Sequence, residues 1–320
     1  MAADASPRTV RFFDLLPDAA DPAAELRAGL RANPAAIAPK FFYDALGSRL
    51  FEAICELPEY TLPRDERSIF ERRTPEIARE IGSGVTLIDL GAGNCEKAER
   101  LFEPLRPARY VAVDFAKDFL RERLQILADR HSVIEMIGVA ADFTRPVVWP
   151  DAVLGKRRLF FYPGSSIGNF SPEQAAQFLS EVHRVCAGGY LLIGADLVKD
   201  VRELEAAYDD ALGVTAAFNL NVLNVVNRLA GTDFNVADWR HVALYNDAAS
   251  RIEMYLEARS ATTVRWAGGH RVFAAGERIH TENSYKWTLT RLSELLRSAG
   301  FVTVRTWTDP AERFALALAR

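Results

Sequence analysis

The run Val85-Thr-Leu-Ile-Asp-Leu90 entering Gly91-Ala92-Gly93 constrains this chain more than any other stretch. A short, apolar, strand-forming segment cut off by two glycines one residue apart reads as a buried strand ending in a tight turn. Residues 96–103 then take helical spacing, and Pro104, which has no backbone N–H, predicts the end of that helix. A second apolar run, Arg109-Tyr-Val-Ala-Val-Asp114, closes on an acid 21 residues after Gly93. Glycine lets a backbone approach a ligand closely, and a carboxylate about 20 residues on can accept both hydroxyls of a ribose.

The same rhythm continues. A helix is predicted near 116–130, with Phe119, Leu120 and Leu127 as its apolar stripe. Apolar runs follow at 133–139, 157–162 and 189–195, with a helix over 173–186 between the last two. Strands alternating with helices imply a parallel sheet covered on both faces, with right-handed crossovers. After Asp196-Leu-Val-Lys-Asp200 the pattern changes. Residues 201–229 read as helical and rich in Asn, and 251–259, 261–266 and 278–287 read as strands of an antiparallel sheet. A helix over 289–299 precedes a hairpin of 301–307 and 313–320. With 320 residues, about twice a common domain length, the chain reads as two domains. One is a doubly wound, Rossmann-like α/β sheet with a C-terminal antiparallel hairpin, from 64–197 and 288–320. The other is an inserted α+β substrate-binding domain, from 1–63 and 198–287, over the carboxyl ends of the strands, where open α/β sheets bind ligands.

Charge narrows the partners. Lys plus Arg number 39 against 43 Asp plus Glu, a net charge of −4, which argues against a nucleic-acid groove or a polybasic membrane patch. No stretch approaches the roughly 18 apolar residues of a membrane span. Cys55, Cys95 and Cys186 are scattered, without histidines at metal spacing, so neither a zinc site nor a disulfide framework is expected. The expectation is a cytoplasmic protein acting on a small molecule, without a metal, and a monomer.

The glycine loop also discriminates between cofactors. A nicotinamide dinucleotide fingerprint needs a third small residue at 96 so that a helix N-terminus can hold the pyrophosphate. Position 96 is Glu and position 89 is Asp, and two carboxylates would repel a pyrophosphate. They suit S-adenosylmethionine, which carries an ammonium and a sulfonium and no phosphate. Gly91 and Gly93 would cradle it, Asp114 would take its ribose and Lys97 its carboxylate. Ala141-Asp142-Phe143 adds an acceptor for an adenine amine and a ring to pack on the base. The terminal hairpin fits the class I methyltransferase sheet, so methyl transfer is favoured over hydride transfer.

Several separated motifs go further: K-F-F-Y-D-A-L-G-S (40–48), L-P-E-Y (57–60), L-G-A-G-N-C-E-K (90–97), G-S-S-I-G-N (164–169), D-L-V-K-D (196–200), A-Y-D-D-A-L-G-V-T-A-A-F-N (207–219), R-I-E-M (251–254) and T-E-N-S (281–284). Through them, from about 24 to 320, the chain resembles the histidine Nα-methyltransferases of ergothioneine biosynthesis. The resemblance implies transfer of three methyl groups from S-adenosylmethionine to the α-amine of free L-histidine, giving hercynine.

Glu282 and Ser284 lie two apart on a strand and so face the same way. Alone, that pair reads as a solvated strand face; the resemblance implies that it holds the two imidazole nitrogens. Met254 shares the apolar face of its strand with Ile252 and Leu256, and the resemblance makes it a wall of the side-chain pocket. It also implies that Tyr60 stands near the imidazole, that Asn169 binds the amine and carboxylate, and that Tyr208 is a second carboxylate ligand. Tyr43 and Phe218 become ring walls around a nitrogen that turns into a permanent cation, with Tyr43 as a positioning group or proton acceptor. The alternatives are the same transfer to another amine, such as tryptophan, tyrosine or a peptide N-terminus, and a non-catalytic nucleoside-binding subunit.

Overall fold

The computed structural model describes residues 10–16 and 21–320. Its centre is an eight-stranded sheet in the spatial order Arg11–Asp14, Glu135–Ala140, Arg109–Asp114, Thr86–Leu90, Arg158–Tyr162, Tyr190–Asp196, Phe314–Ala319 and Thr303–Thr308. The first six strands run parallel, and the last two form the antiparallel terminal hairpin. Every residue of Thr86–Leu90 is buried, as helices on both faces of a parallel sheet require. Thr86–Leu90 lies between Arg109–Asp114 and Arg158–Tyr162, where the strand order turns back on itself. A crevice opens at such a point. This is the class I methyltransferase sheet expected from the sequence.

Local departures have local causes. The helix expected over 96–103 is two short ones, Glu96–Glu99 and Phe102–Leu105. Pro104 sits in the first turn of the second, where its missing N–H would have had no partner. In the helix Lys117–Arg130 the buried stripe is Leu120, Leu124, Leu127 and Ala128. Phe119 is off that stripe and exposed, beside the Arg123 guanidinium. Residues Arg11–Asp14, which the sequence reading put with the substrate segment, pair with Ile137–Ala140 at the edge of the central sheet. Gly138 permits this: a Cβ there would meet the Phe12 ring at 2.4 Å.

The helix Leu62–Ile81 was not anticipated. Its sequence is dense in Arg and Glu, yet Ile69, Phe70, Ile77 and Ile81 make a buried stripe, and the Phe70 ring meets that of Phe161.

A second, four-stranded sheet joins one strand of the N-terminal segment to three of the insertion, in the order Ala35–Ala36, Arg278–Tyr285, Arg251–Ala258, Trp239–Asn246. The strand Trp239–Asn246 went unrecognised. Thr262–Trp266 does not join this sheet as expected; it pairs with Gly269–Phe273 in a separate ribbon. The helical region is two helices, Val201–Tyr208 and Val214–Ala230. They break where the Asp210 carboxylate accepts the N–H groups of Val214 and Thr215. The asparagines of the second helix are structural ties: Asn219 donates to Tyr255 O, Asn221 to Asp44, and Asn227 to Phe234 O.

Two contacts dock the inserted sheet on the central one. Trp287 N–H donates to Asp196 O (2.9 Å), and Val198 N–H to Trp287 O (3.0 Å). Beside them, the turn Ser166–Asn169 lies so close that a Cβ on Gly168 would meet Tyr285 O at 2.9 Å. The strand Arg278–Tyr285 is thereby brought to the carboxyl end of Tyr190–Asp196.

Candidate active site

The central strand Thr86–Leu90 delivers the glycine loop at its carboxyl end. Gly91 (φ 73°) and Gly93 (φ 51°) adopt left-handed backbone that residues with a Cβ disfavour. Asp114 holds this loop with both oxygens: Oδ2 accepts Gly93 N–H (2.9 Å), and Oδ1 accepts Ala116 N–H (3.0 Å). The Phe143 ring lies over the loop, with Cζ 3.4 Å from where a Cβ on Gly91 would stand. Asp142 is fixed by Thr144 N–H and pairs with Arg145.

Asp89 is buried beneath the loop and accepts a hydrogen bond from Tyr110 Oη (2.8 Å). Burial pushes its carboxyl up to about 7, against the opposing Tyr110 bond. Lys97 pairs at 2.6 Å with Glu66, a buried carboxylate from the helix Leu62–Ile81 that also accepts Gly164 N–H (2.7 Å). The loop is therefore ringed by Asp89, Asp114 and Glu66 around one ammonium. Such a set repels phosphate and fits a ligand bearing an ammonium and a sulfonium.

On the insertion side, Glu282 and Ser284 stand opposite Met254 and Ile252 on the neighbouring strand, so the four share one sheet face. Met254 is buried and Glu282 half-buried. Burial pushes the Glu282 carboxyl up to about 7, and Lys286 opposes the rise. The Ser284 hydroxyl lies 2.7 Å from Tyr208 Oη. From Tyr208 a chain of rings runs outward: Tyr60 at 6.0 Å between centroids, then Phe51 at 6.3 Å, then Tyr43 at 5.6 Å. Phe218 packs on Tyr43 and Phe51. Burial and then the Glu282 charge raise the Tyr43 phenol; for Tyr60 burial leads, with Glu282 among the smaller causes.

Of the residues singled out from the sequence, Gly91, Gly93, Asp114 and Phe143 cluster at the loop, with Asp142 beside Phe143. Tyr43, Tyr60, Tyr208, Phe218 and Ser284 form one connected wall, with Glu282 and Met254 as a cross-strand pair on the strand of Ser284. Asn169 is exposed on the turn docked against Tyr285. Three residues escaped sequence reasoning, Phe51, Glu66 and Lys286, and Asp196 entered it only as part of the motif 196–200, with no role. Lys286 alone carried a signal, since it continues the spacing of two set by Glu282 and Ser284. Among the described residues no His, Cys, Asp or Glu cluster could hold a metal ion, and no helix is long and apolar enough to cross a membrane.

Comparison with known proteins names the family. The profile of the S-adenosylmethionine-dependent, histidine-specific methyltransferases matches residues 22–320. The chain belongs to this family. The histidine N-alpha-methyltransferase of Mycolicibacterium smegmatis is 43% identical, over 94% of this chain and 97% of its own length. That of Mycobacterium tuberculosis is 40% identical, over 92% and 93%. Ergothioneine biosynthesis protein 1 of Neurospora crassa is 31% identical over 86% of this chain, which spans 32% of that longer protein. A histidine-specific methyltransferase needs a cationic cofactor beside a pocket that reads an imidazole. Carboxylates lie about the loop, and Glu282 and Ser284 share one face of the second sheet.

The raised pKa of Glu282 has a measurable consequence in this family member. A carboxylate raised on folding contributes stability that is fully present below its unfolded value and lost as pH rises through about 7. Glu282→Gln, which cannot ionise, should therefore melt above the parent at pH 8 without ligands. The gap should close by pH 5, as read by differential scanning fluorimetry.

Proposed function

We propose that the chain transfers methyl groups to the α-amine of free L-histidine, three in succession, giving hercynine for ergothioneine biosynthesis. One observation carries this reading: Tyr43, Phe51, Tyr60, Tyr208 and Ser284 form an unbroken wall that ends beside Glu282 and Met254. In this reading residues 64–197 with 288–320 bind the cofactor, and 1–63 with 198–287 bind the amino acid, except that Arg11–Asp14 belongs to the central sheet.

Each residue then has a task. Glu282 and Ser284 hold the two ring nitrogens, Met254 walls the ring, and Tyr60 closes the pocket over it. Tyr208 donates to the substrate carboxylate, and Asn169, with a donor and an acceptor, binds the amine and carboxylate. Gly91 and Gly93 cradle the cofactor, Asp114 takes its ribose, Asp142 and Phe143 its adenine, and Lys97 its carboxylate. When bound, S-adenosylmethionine supplies a methyl group on a positively charged sulfur. The protein's share is to seat the amine in line with that carbon and keep water away, an effect worth up to about 7–11 kcal/mol. Tyr43, raised by burial, keeps its phenol proton near neutrality, so its Oη positions the substrate rather than receiving a proton. The rings of Tyr43, Phe51 and Phe218 present π faces to the growing cation.

The test is incubation with S-adenosylmethionine and an equimolar mixture of free amino acids, read by mass spectrometry. Histidine should gain up to three methyl masses. Methylation of tryptophan or tyrosine with histidine untouched would overturn the choice of substrate, and no cofactor consumption at all would overturn catalysis.

A further inference from the structure

A cavity of about 310 Å³ adjoins the ring wall, and the proposed roles leave it unused. Of the side chains assigned to histidine or to the cofactor, it includes Tyr208 alone. The helix Val201–Tyr208 lines it through Arg202, Leu204 and Ala207. Glu59 and Leu62 line it from the N-terminal segment, and Arg313 from the turn of the terminal hairpin. Two further members are withdrawn from water. Asp196 is completely buried and the Lys199 side chain is 9% exposed, with its Nζ 2.6 Å from Asp196 Oδ1. Asp196 Oδ2 pairs in turn with the completely buried Lys286 at 2.8 Å. Burial works against the Lys286 charge, but Asp196 outweighs it and holds the pKa above the ordinary lysine value. One carboxylate therefore serves two ammoniums, and a positive charge is left over in a shielded place, which is costly without a partner. Glu282, the other acid that senses Lys286, is pushed up to about 7 by burial and offsets that surplus only in part.

The two ammoniums differ in what they have left to give. Lys286 also donates to Tyr208 Oη (3.0 Å) and Ser284 Oγ (2.9 Å), so its three donors are taken. Lys199, which lines the cavity, has Asp196 as its single acceptor among the described residues. The Arg202 guanidinium is exposed, and of this residue only the backbone N–H is bonded, to Asp200. The helix Leu62–Ile81 begins on the same cavity, with Thr61 and Leu62 in the lining and no side chain capping its first N–H groups. Such an end carries partial positive charge. Among the acids, Glu203 is held by Arg313 at 3.1 Å, and Asp65 stands 3.8 Å from the same guanidinium. Glu59 lines the cavity half-buried and pairs with no cation among the described residues. Open donors at Lys199, Arg202 and a helix N-terminus fit a carboxylate, and one open acid fits an ammonium. We propose that this cavity is a second site for a free α-amino acid, which sets its carboxylate on Lys199 and Arg202 and its ammonium toward Glu59. Tyr208 is the wall shared with the histidine pocket, and the second site does not depend on which amine is methylated.

The probe is L-alanine, added to protein carrying S-adenosylhomocysteine and a slight excess of L-histidine, and read by saturation-transfer difference NMR. Alanine should give a saturable signal that the histidine does not displace. Arg202→Ala should weaken it at least about tenfold and leave the dissociation constant for histidine within about threefold. Lys199→Met should do the same, and the exposed Arg202 decides alone if that variant does not fold. Propionate, the same skeleton without the amine, should bind about threefold more weakly than alanine, and Glu59→Gln should remove that difference. No saturable signal in the parent, a signal displaced by histidine, or one unchanged in Arg202→Ala overturns the second site. Equal affinity for alanine and propionate in the parent overturns the assignment to an amino acid. Alanine behaving as stated while histidine itself fails to bind overturns the histidine reading and leaves the second site standing.

Discussion

Replacing Glu282 with alanine should raise the dissociation constant for L-histidine about 100-fold and change that for S-adenosylhomocysteine less than about threefold. A hydrogen bond to a charged group contributes about 1.5–3 kcal/mol, and losing it leaves a ring nitrogen unmet in a shielded pocket. The side chain stands opposite Met254 on the second sheet, whereas the glycine loop belongs to the central one, so the loss should be confined to one ligand. Calorimetry with each ligand separately reads this directly. Equal weakening of both would mean that Glu282 supports the fold and not the substrate.

Asp114→Asn should produce the opposite split, weakening S-adenosylhomocysteine about 100-fold. Both carboxylate oxygens accept backbone N–H groups, from Gly93 and from Ala116. An amide has one accepting oxygen, so its NH2 must face one of those donors, and the loop loses a tie as well as a ribose acceptor. Asn should therefore be nearly as harmful as Ala at this position. Titration with S-adenosylhomocysteine checks it, with the melting temperature as a control for folding. Near-parent affinity in Asp114→Asn would remove this residue from the cofactor site.

These two splits follow from features that differ in how well sequence displays them. The glycine loop and Asp114 were readable because strand, turn and next strand are contiguous, and their spacing reflects the geometry of a single βαβ unit. Glu66 was not, since it approaches Lys97 from a helix 31 residues earlier in a segment that looks like ordinary charged surface. The edge strand Arg11–Asp14 likewise depends on Gly138, far along the chain, leaving room for Phe12. Trp239–Asn246 escaped because its intermediate burial gives no sharp alternation.

Sequence by itself determined the alternating α/β order, the terminal hairpin, the cofactor class and, through the separated motifs, the family. All of these rest on local periodicity or on residue identity at short range. Tertiary structure alone decided which distant side chains share a proton. Asp196, Tyr208 and the neighbouring pair Ser284 and Lys286 come from three places in the chain, and their hydrogen bonds exist only once all four are buried together. Removed from water, the Lys286 ammonium takes the Asp196 carboxylate and the two hydroxyls as its partners, and that enclosure orders them.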